Sequence, residues 1–469
     1  MTEAEPGFSG PRRVGFAATL RGELRVPADK SIAHRALLFN AMASGEADVT
    51  VRRPGADVRS TAGALAALGA IRSRSEGADG ERAGTGEGTI TYRVRGAGTD
   101  AGAELPGEGD ERLDCGNSGT TMRLLSGALA GRDGRAATLF GDESLSRRPM
   151  ERVAGPLGTM GAGVATTDGH APIGIHGKRP LNAMDHRLPV ASAQVLGAIT
   201  LAALAADGAT TIESPGPTRD HTERLLAWLG ASVRRDGLTT TIDGPGALRA
   251  RSLIVPGDIS SAAAWLVAAA LHPHAELRLV DVSLNPSRLA IVDVLREIGA
   301  DIQIVAAANR GAGDAAGPEP SGDLVVRGGS PLRAIFLSGA RVAELIDELP
   351  LLAVAMAAAE GTSELRDASE LRVKESDRIA LVVRNLSRIG ANAEELPDGW
   401  RVTAGTALPA AIETAGDHRI AIAFAVAALS GVAADVTIDD PACVDVSYPG
   451  FWDDLEGVAG REPAVAPAR

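Results

Sequence analysis

A segment pattern that recurs six times constrains this chain more than any single motif. Each copy has a polar head, an Ala/Leu-rich apolar helix and a β-branched strand. The heads are Asp29-Lys30-Ser31, Asn117-Ser118-Gly119-Thr120, Ser192-Ala193-Gln194, Gly257-Asp258-Ile259-Ser260-Ser261, Asp347-Glu348 and Asp417-His418-Arg419. In the first five copies a second helix follows and ends in Gly-Ala, at Gly69, Gly161, Gly230, Gly299 and Gly390. Glycine there suits a left-handed C-cap. The sixth copy closes more loosely, at Gly457–Gly460. The unit is longer than the usual short solenoid repeat and too small for a full domain. Six units predict three per domain in two α/β domains, and 469 residues can fill two such cores.

The heads carry the chemistry. Asp114–Ala130 starts with small, turn-prone residues and becomes an apolar run with one cation, Arg123. That pattern marks a helix N-terminus whose orphan N–H groups and dipole attract anions. A structural helix favours Asp or Glu in its first turn, yet the first head puts Lys30 and Arg35 near its positive end. Arg123, Arg148, Arg219, Lys374, Arg378 and Arg419 also sit in or near heads. Singly, each reads as a surface ion-pair partner. As a set in a chain of formal charge −13, they point to a small polyanionic ligand rather than to nucleic acid.

Composition narrows the class further. Aromatics are scarce, so the cores must be built from Ala, Leu, Val and Ile. Cys115 and Cys443 are too few for a disulfide framework and lack metal spacing, so no metal site is expected. The start, MTEAEPGFSGPRR, has no apolar signal-peptide stretch, and a cytoplasmic location is expected. The longest apolar runs, such as Leu349–Ala359 and Ser261–Leu271, are too short to cross a membrane and read as buried helices.

Along the chain, Leu24–Pro27 is expected as a short strand and Asp57–Leu68 as the paired helix. Residues 73–112 read as a hairpin or loop insertion with Thr89–Val94 as its only strand, and 306–323 as a second insertion. Gly141–Pro149 reads as a basic anion-binding loop. His221 is expected to be a hydrogen-bonded structural histidine. The richest string is Leu371–Arg378, where the i,i+4 spacing of Lys374 and Arg378 predicts two cations on one helical face beside Glu375.

Taken in order, Asp29-Lys30-Ser31…Arg35, the Gly116–Arg123 head, Arg148-Pro149, Ser192-Ala193-Gln194, Leu371–Arg378 and Asp417-His418-Arg419 resemble the 5-enolpyruvylshikimate-3-phosphate (EPSP) synthase family over nearly the whole chain. The resemblance implies a two-lobed inside-out α/β barrel, each lobe built from three βαβαββ units. It implies a lobe of residues 28–254 and a second lobe of 1–27 with 255–469. It also implies the shikimate-pathway substrates shikimate 3-phosphate and phosphoenolpyruvate, with no cofactor, no metal and a monomer.

Carried over by position, Asp347 is the expected base at the 5-hydroxyl. Glu375 is expected to handle the C3 proton of phosphoenolpyruvate, with Lys30 bridging both substrates and sharing proton transfer. Ser31, Arg35, Ser192, Ala193 (through its N–H), Gln194, Arg219 and Lys374 are expected around shikimate 3-phosphate, together with Lys30 and Asp347. Gly119, Arg148, Arg378 and Arg419 are expected around phosphoenolpyruvate, together with Lys30 and Gln194. Arg123 is expected to latch onto Asp258 and Asp417 across the cleft. One departure is Val446-Ser447-Tyr448-Pro449, where many members carry Lys before the aromatic-Pro step. The sister family acting on UDP-N-acetylglucosamine usually has a Cys in the mobile loop, and Gly141–Pro149 has none. An inactive anion-binding homologue is the other alternative, although Asp347 and Glu375 are both present.

Overall fold

The structure, a computed structural model, describes residues 10–77, 88–306 and 317–460. Its strands form five four-stranded sheets and one three-stranded sheet. The second repeat shows the unit plainly. Glu111–Asp114 runs parallel to Ala136–Phe140, and the helix Gly119–Ala130 makes the crossover that parallel pairing requires. After the helix Glu151–Thr159, Gly163–Thr167 and His170–His176 form a hairpin that pairs antiparallel to Ala136–Phe140. The order is βαβαββ.

Two units are completed by chain from elsewhere. Leu253–Ile254 supplies the first strand of the first unit, parallel to Val49 and Thr50. Leu20–Leu24 supplies that of the fourth, parallel to Ala275–Leu279. Where these passages meet, Asp29 N donates to Pro256 O at 2.8 Å and Asp258 N donates to Pro27 O at 2.8 Å. The sixth sheet has no hairpin of its own. Arg12–Gly15 pairs antiparallel with Asp435–Ile438 in its place.

Side-chain patterning explains the layers. Strands such as Ser321–Arg327 alternate between buried and half-buried positions, so each sheet turns one face inward. The helices Ile259–Leu271, Leu349–Ala358 and His418–Leu429 are apolar all round and buried almost throughout. They pack on one another inside their lobe, with the sheets outside. One core cluster takes residues from Val14 to Val26 and from Ile259 to Val458, and the other runs from Ala28 to Val255. Small residues allow close helix approach. A Cβ on Gly127 would lie 2.0 Å from Ala198 O of the neighbouring inner helix.

Some expectations shift. The early strand is Leu20–Leu24 rather than Leu24–Pro27. Thr89–Arg95 is not the only strand of its stretch: Ile71–Gly77 pairs with it, and Glu111–Asp114 follows. Asp301–Ala306 and Ser321–Arg327 likewise form a hairpin, while 307–316 and 78–87 lie outside the described residues. The five Gly-Ala glycines have φ between 80° and 117°, as left-handed caps require. Among the described residues no helix is long and apolar enough to cross a membrane.

Candidate active site

The six inner helices share an electrostatic signature. None has an acidic residue in its first turn. The outer helices of the first four units do, with Asp57, Glu151, Glu223 and Asp293 in that position, whereas that of the fifth, Arg378–Arg388, does not. Acids there complement a helix dipole, so beyond the N-cap the first turns of these inner helices carry no carboxylate of their own. Side chains of Asp29, Ser118, Ser192, Asp258 and Asp417 cap five of these tips. The fifth-unit helix starts instead at Glu348 and Pro350 without a side-chain cap.

In the first three units, the predicted binding residues are held mostly by neutral groups. Lys30 opens its helix with Nζ 3.5 Å from Asp57. Arg35, one turn on, donates from Nη1 to Ser31 O at 2.9 Å and from Nε to Thr222 Oγ1 at 2.8 Å. Burial lowers its pKa to about 10 against the pull of Glu223 and Asp29. Ser192 caps the helix that Ala193 begins. Gln194 accepts from Arg123 Nη1 at 2.7 Å and donates to Thr120 Oγ1 at 2.8 Å. Arg148 donates to Asn117 Oδ1 at 2.7 Å. The guanidinium groups of Arg123 and Arg148 both crowd Gly119, whose Cβ, if present, would lie 2.6 Å and 3.4 Å from their Nη1 atoms.

In the last three units, Arg378 and Lys374 are held by carboxylates. Arg378, 2% exposed, donates to Asp417 at 2.8 Å and to Glu375 at 2.6 Å. Ser376 also donates to Asp417. Lys374 Nζ reaches Glu370 at 2.6 Å. Asp347 accepts from Arg219 Nη2 at 2.6 Å, a bond that spans the two cores. Burial alone would raise the Asp347 carboxyl. Arg219 outweighs it, with help from Arg419, Lys374 and Arg288, and the group sits well below the usual carboxylate range. Burial likewise works to raise Glu375, but Arg378 and then Lys30 pull it down. Asp347 still keeps 24% of its side-chain surface at water.

Electrostatically, the charges of Lys30, Arg219, Lys374, Arg378 and Arg419 act on Asp347 or Glu375, and Arg219 and Arg378 are directly bonded to them. The geometry also corrects two expectations. Arg123 does not latch onto Asp258 or Asp417; it binds Gln194 and reaches Pro149 O at 3.4 Å. Asp258 is occupied capping its own helix at Ser260 N, and Asp417 is neutralised by Arg378. Lys374 and Arg378 do not share a helical face. Lys374 is extended after a short 3₁₀ turn, and Asp377 caps a new helix that begins at Arg378. An N-cap between two cations breaks the i,i+4 count.

Several supporting residues escaped the sequence reading. Thr222 anchors Arg35, Glu370 anchors Lys374, and Asn117 holds Arg148 while bonding Asp142. Deeper in, Ser260, Arg288 and Glu348 form a buried trio. Asn117 stood inside a recognised head, so only its partner was hidden; nothing local marked Thr222 or Glu370. Cys115 is free and buried, and burial pushes its thiol up to about 12, as suits a core thiol. Tyr448, in the segment lacking the expected Lys, is buried and bonded to Trp265 and Asp454. Among the described residues no cluster of His, Cys, Asp or Glu could hold a metal.

Cations gathered beside two carboxylates, Asp347 and Glu375, can bind phosphorylated anions and move protons near them. Comparison with known proteins agrees with that chemistry. The family model described as EPSP synthase (3-phosphoshikimate 1-carboxyvinyltransferase) matches residues 16–455. A 3-phosphoshikimate 1-carboxyvinyltransferase from Gloeobacter violaceus is 47% identical over 446 residues, 94% of this chain and 97% of the relative. One of the same name from Bacillus licheniformis is 42% identical, covering 95% and 99%. The EPSP synthase structure from Acinetobacter baumannii superposes with a TM-score of 0.81 at 36% identity, covering 96% of this chain and 98% of that one. The enolpyruvyl transferase NikO from Streptomyces tendae shares the fold, at TM-score 0.69 and 18% identity, covering 96% and 97%. Built from repeated α/β units, with its cations gathered near Asp347 and Glu375, this chain belongs to the EPSP synthase family.

Proposed function

We propose that the protein transfers the enolpyruvyl group of phosphoenolpyruvate to the 5-hydroxyl of shikimate 3-phosphate and releases phosphate. The lobes are residues 28–254 and 1–27 with 255–469, joined at Pro27 and Val255, and the protein works as a cytoplasmic monomer. The observation that carries the reading is the cross-lobe ion pair of Arg219 and Asp347 at 2.6 Å, with Glu375 bonded to Arg378 at 2.6 Å.

In the addition step, C3 of phosphoenolpyruvate takes a proton, C2 becomes electrophilic and the 5-hydroxyl oxygen bonds to it. Asp347 takes the hydroxyl proton. In the elimination step, the C2–O bond to phosphate breaks while C3 loses a proton and the enol ether double bond forms. Glu375, between Arg378 and Lys30, handles the C3 proton in both directions, with Lys30 as its neighbouring proton donor. Arg35, Ser31, Ser192, Ala193 N–H, Gln194, Arg219 and Lys374 hold shikimate 3-phosphate. Gly119, Arg148, Arg378 and Arg419 hold phosphoenolpyruvate. Asp347 is too weak a base while Arg219 grips it fully. Substrate anions that draw cations toward themselves would relax that grip and raise its basicity.

The test is phosphate release from phosphoenolpyruvate with each acceptor. Release with shikimate 3-phosphate and not with UDP-N-acetylglucosamine supports the reading. Release only with the nucleotide sugar transfers it to the sister activity, and tight binding without turnover makes the protein an inactive homologue.

A further inference from the structure

The loop that opens helix His221–Trp228 carries four consecutive polar residues, and each is bound by a different group. Arg219 donates to Asp347 at 2.6 Å. Asp220 accepts from Asn285 Nδ2 at 2.8 Å and from Arg224 at 2.8 Å. His221 Nδ1 lies 2.8 Å from Glu319 Oε1. Thr222 accepts from Arg35 Nε at 2.8 Å. The loop belongs to one core, while Asn285, Glu319 and Asp347 extend from the other.

Asn285 and Glu319 form a single platform. Asn285 Nδ2 also donates to Glu319 Oε2 at 2.8 Å, and Leu284 N donates to Pro320 O at 2.7 Å. Ser283 N donates to Gly257 O at 2.8 Å, which ties the platform to the chain passage between lobes. The side chains of His221 and Glu319 are only 1% and 2% exposed, and Asn285 is fully buried. The set is hydrogen-bonded through His221 Nδ1, while His221 Nε2 is buried without a partner, and a buried polar set of this kind fixes geometry more than it adds net stability.

We infer that Glu319 and Asn285 are positioning residues for shikimate 3-phosphate. By gripping Asp220 and His221 they set the loop that aims Arg219 at Asp347 and holds Arg35 through Thr222. Neither touches substrate; both act through the two arginines. The inference rests on the proposed placement of shikimate 3-phosphate beside Arg35 and Arg219. A shift of about 1 Å in such a loop is enough to cost substantial activity.

The experiment compares steady-state kinetics, calorimetric binding of shikimate 3-phosphate and melting temperature in the full chain. Glu319→Ala should raise KM for shikimate 3-phosphate about tenfold, a loss typical of one misplaced charged hydrogen bond. KM for phosphoenolpyruvate should stay within about twofold, since the proposed contacts to that substrate lie outside the loop, while kcat should shift along with KM for shikimate 3-phosphate because a displaced Arg219 changes its grip on Asp347. Glu319→Gln, which keeps an acceptor for His221, should recover most of the affinity. Equal rises in both KM values, or a lower melting temperature with unchanged KM, would make the platform a plain brace and overturn the proposal. If Glu319→Ala does not fold, Thr222→Val decides, because it removes only the hydroxyl that holds Arg35. The same substrate-specific loss supports the proposal there, and unchanged KM overturns it. Arg35→Ala separates the two failures: if it binds shikimate 3-phosphate like the wild type, the site placement is wrong. If it loses binding and Glu319→Ala does not, only the platform's role is wrong.

Discussion

The two lobes hold their cations differently. On the Ala28–Val255 side, Arg219 reaches across to the Asp347 carboxylate, but Arg35, Arg123 and Arg148 bond to a hydroxyl and a carbonyl, to Gln194 and to Asn117. Lys30 meets its carboxylate only at 3.5 Å. On the other side, Arg378 and Lys374 are gripped by Asp417, Glu375 and Glu370 at 2.6–2.8 Å. A neutral partner orients a guanidinium without cancelling its charge, so the first side keeps its attraction for phosphate and carboxylate. A carboxylate partner cancels charge, but it keeps acids ionised and fixed where protons must move. The first lobe is built to receive anions, and the second to handle protons beside them.

Substitutions can break that contrast. Asp347→Ala should lower kcat by about a thousandfold, within the range for losing a positioned general base. Binding of shikimate 3-phosphate should weaken by no more than about tenfold. Matching losses in both would make Asp347 a positioning group. Asp417→Ala leaves buried Arg378 without its main partner and should destabilise the protein by about 3–5 kcal/mol, read as a lowered melting temperature. Arg148→Ala removes a cation held only by an amide. It should leave melting unchanged while raising KM for phosphoenolpyruvate about 10–100-fold, the cost of a charged hydrogen bond to ligand.

The smallest effect concerns pH. Asp347 and Glu375 titrate below their ordinary range in the folded state. Their stabilisation is complete above the unfolded-state values near about pH 4, and it fades as pH falls through the depressed folded values. The wild type should therefore lose melting temperature on acidification below about pH 4 more steeply than an Asp347→Asn, Glu375→Gln double variant. Parallel curves would remove the second half of the comparison.

Much of this was legible in the sequence for one reason: six helix starts repeat a local grammar. The heads at Lys30, Gly119, Gln194 and Arg419, and the glycines closing the second helices, depend on capping and backbone conformation within a few residues. The parts that were not legible are set by tertiary packing. Nothing near Leu253–Ile254 announces that it completes a sheet begun some two hundred positions earlier. Arg123 could have faced either lobe, and only the packing of two inner helices decides for Gln194. The i,i+4 spacing of Lys374 and Arg378 was a sound helix signal, defeated by the cap at Asp377. Glu319 was lost inside a Gly-rich stretch because its partner, His221, lies 98 positions away.

The most direct measurement is an experimental structure with shikimate 3-phosphate and phosphoenolpyruvate bound together. The account predicts substrate oxygens at hydrogen-bond distance, about 2.7–3.2 Å, from Arg35, Arg148 and Arg419, with the 5-hydroxyl beside Asp347. Substrates lodged elsewhere, with Arg35 and Arg148 keeping their present partners Thr222, Ser31 and Asn117, would contradict it.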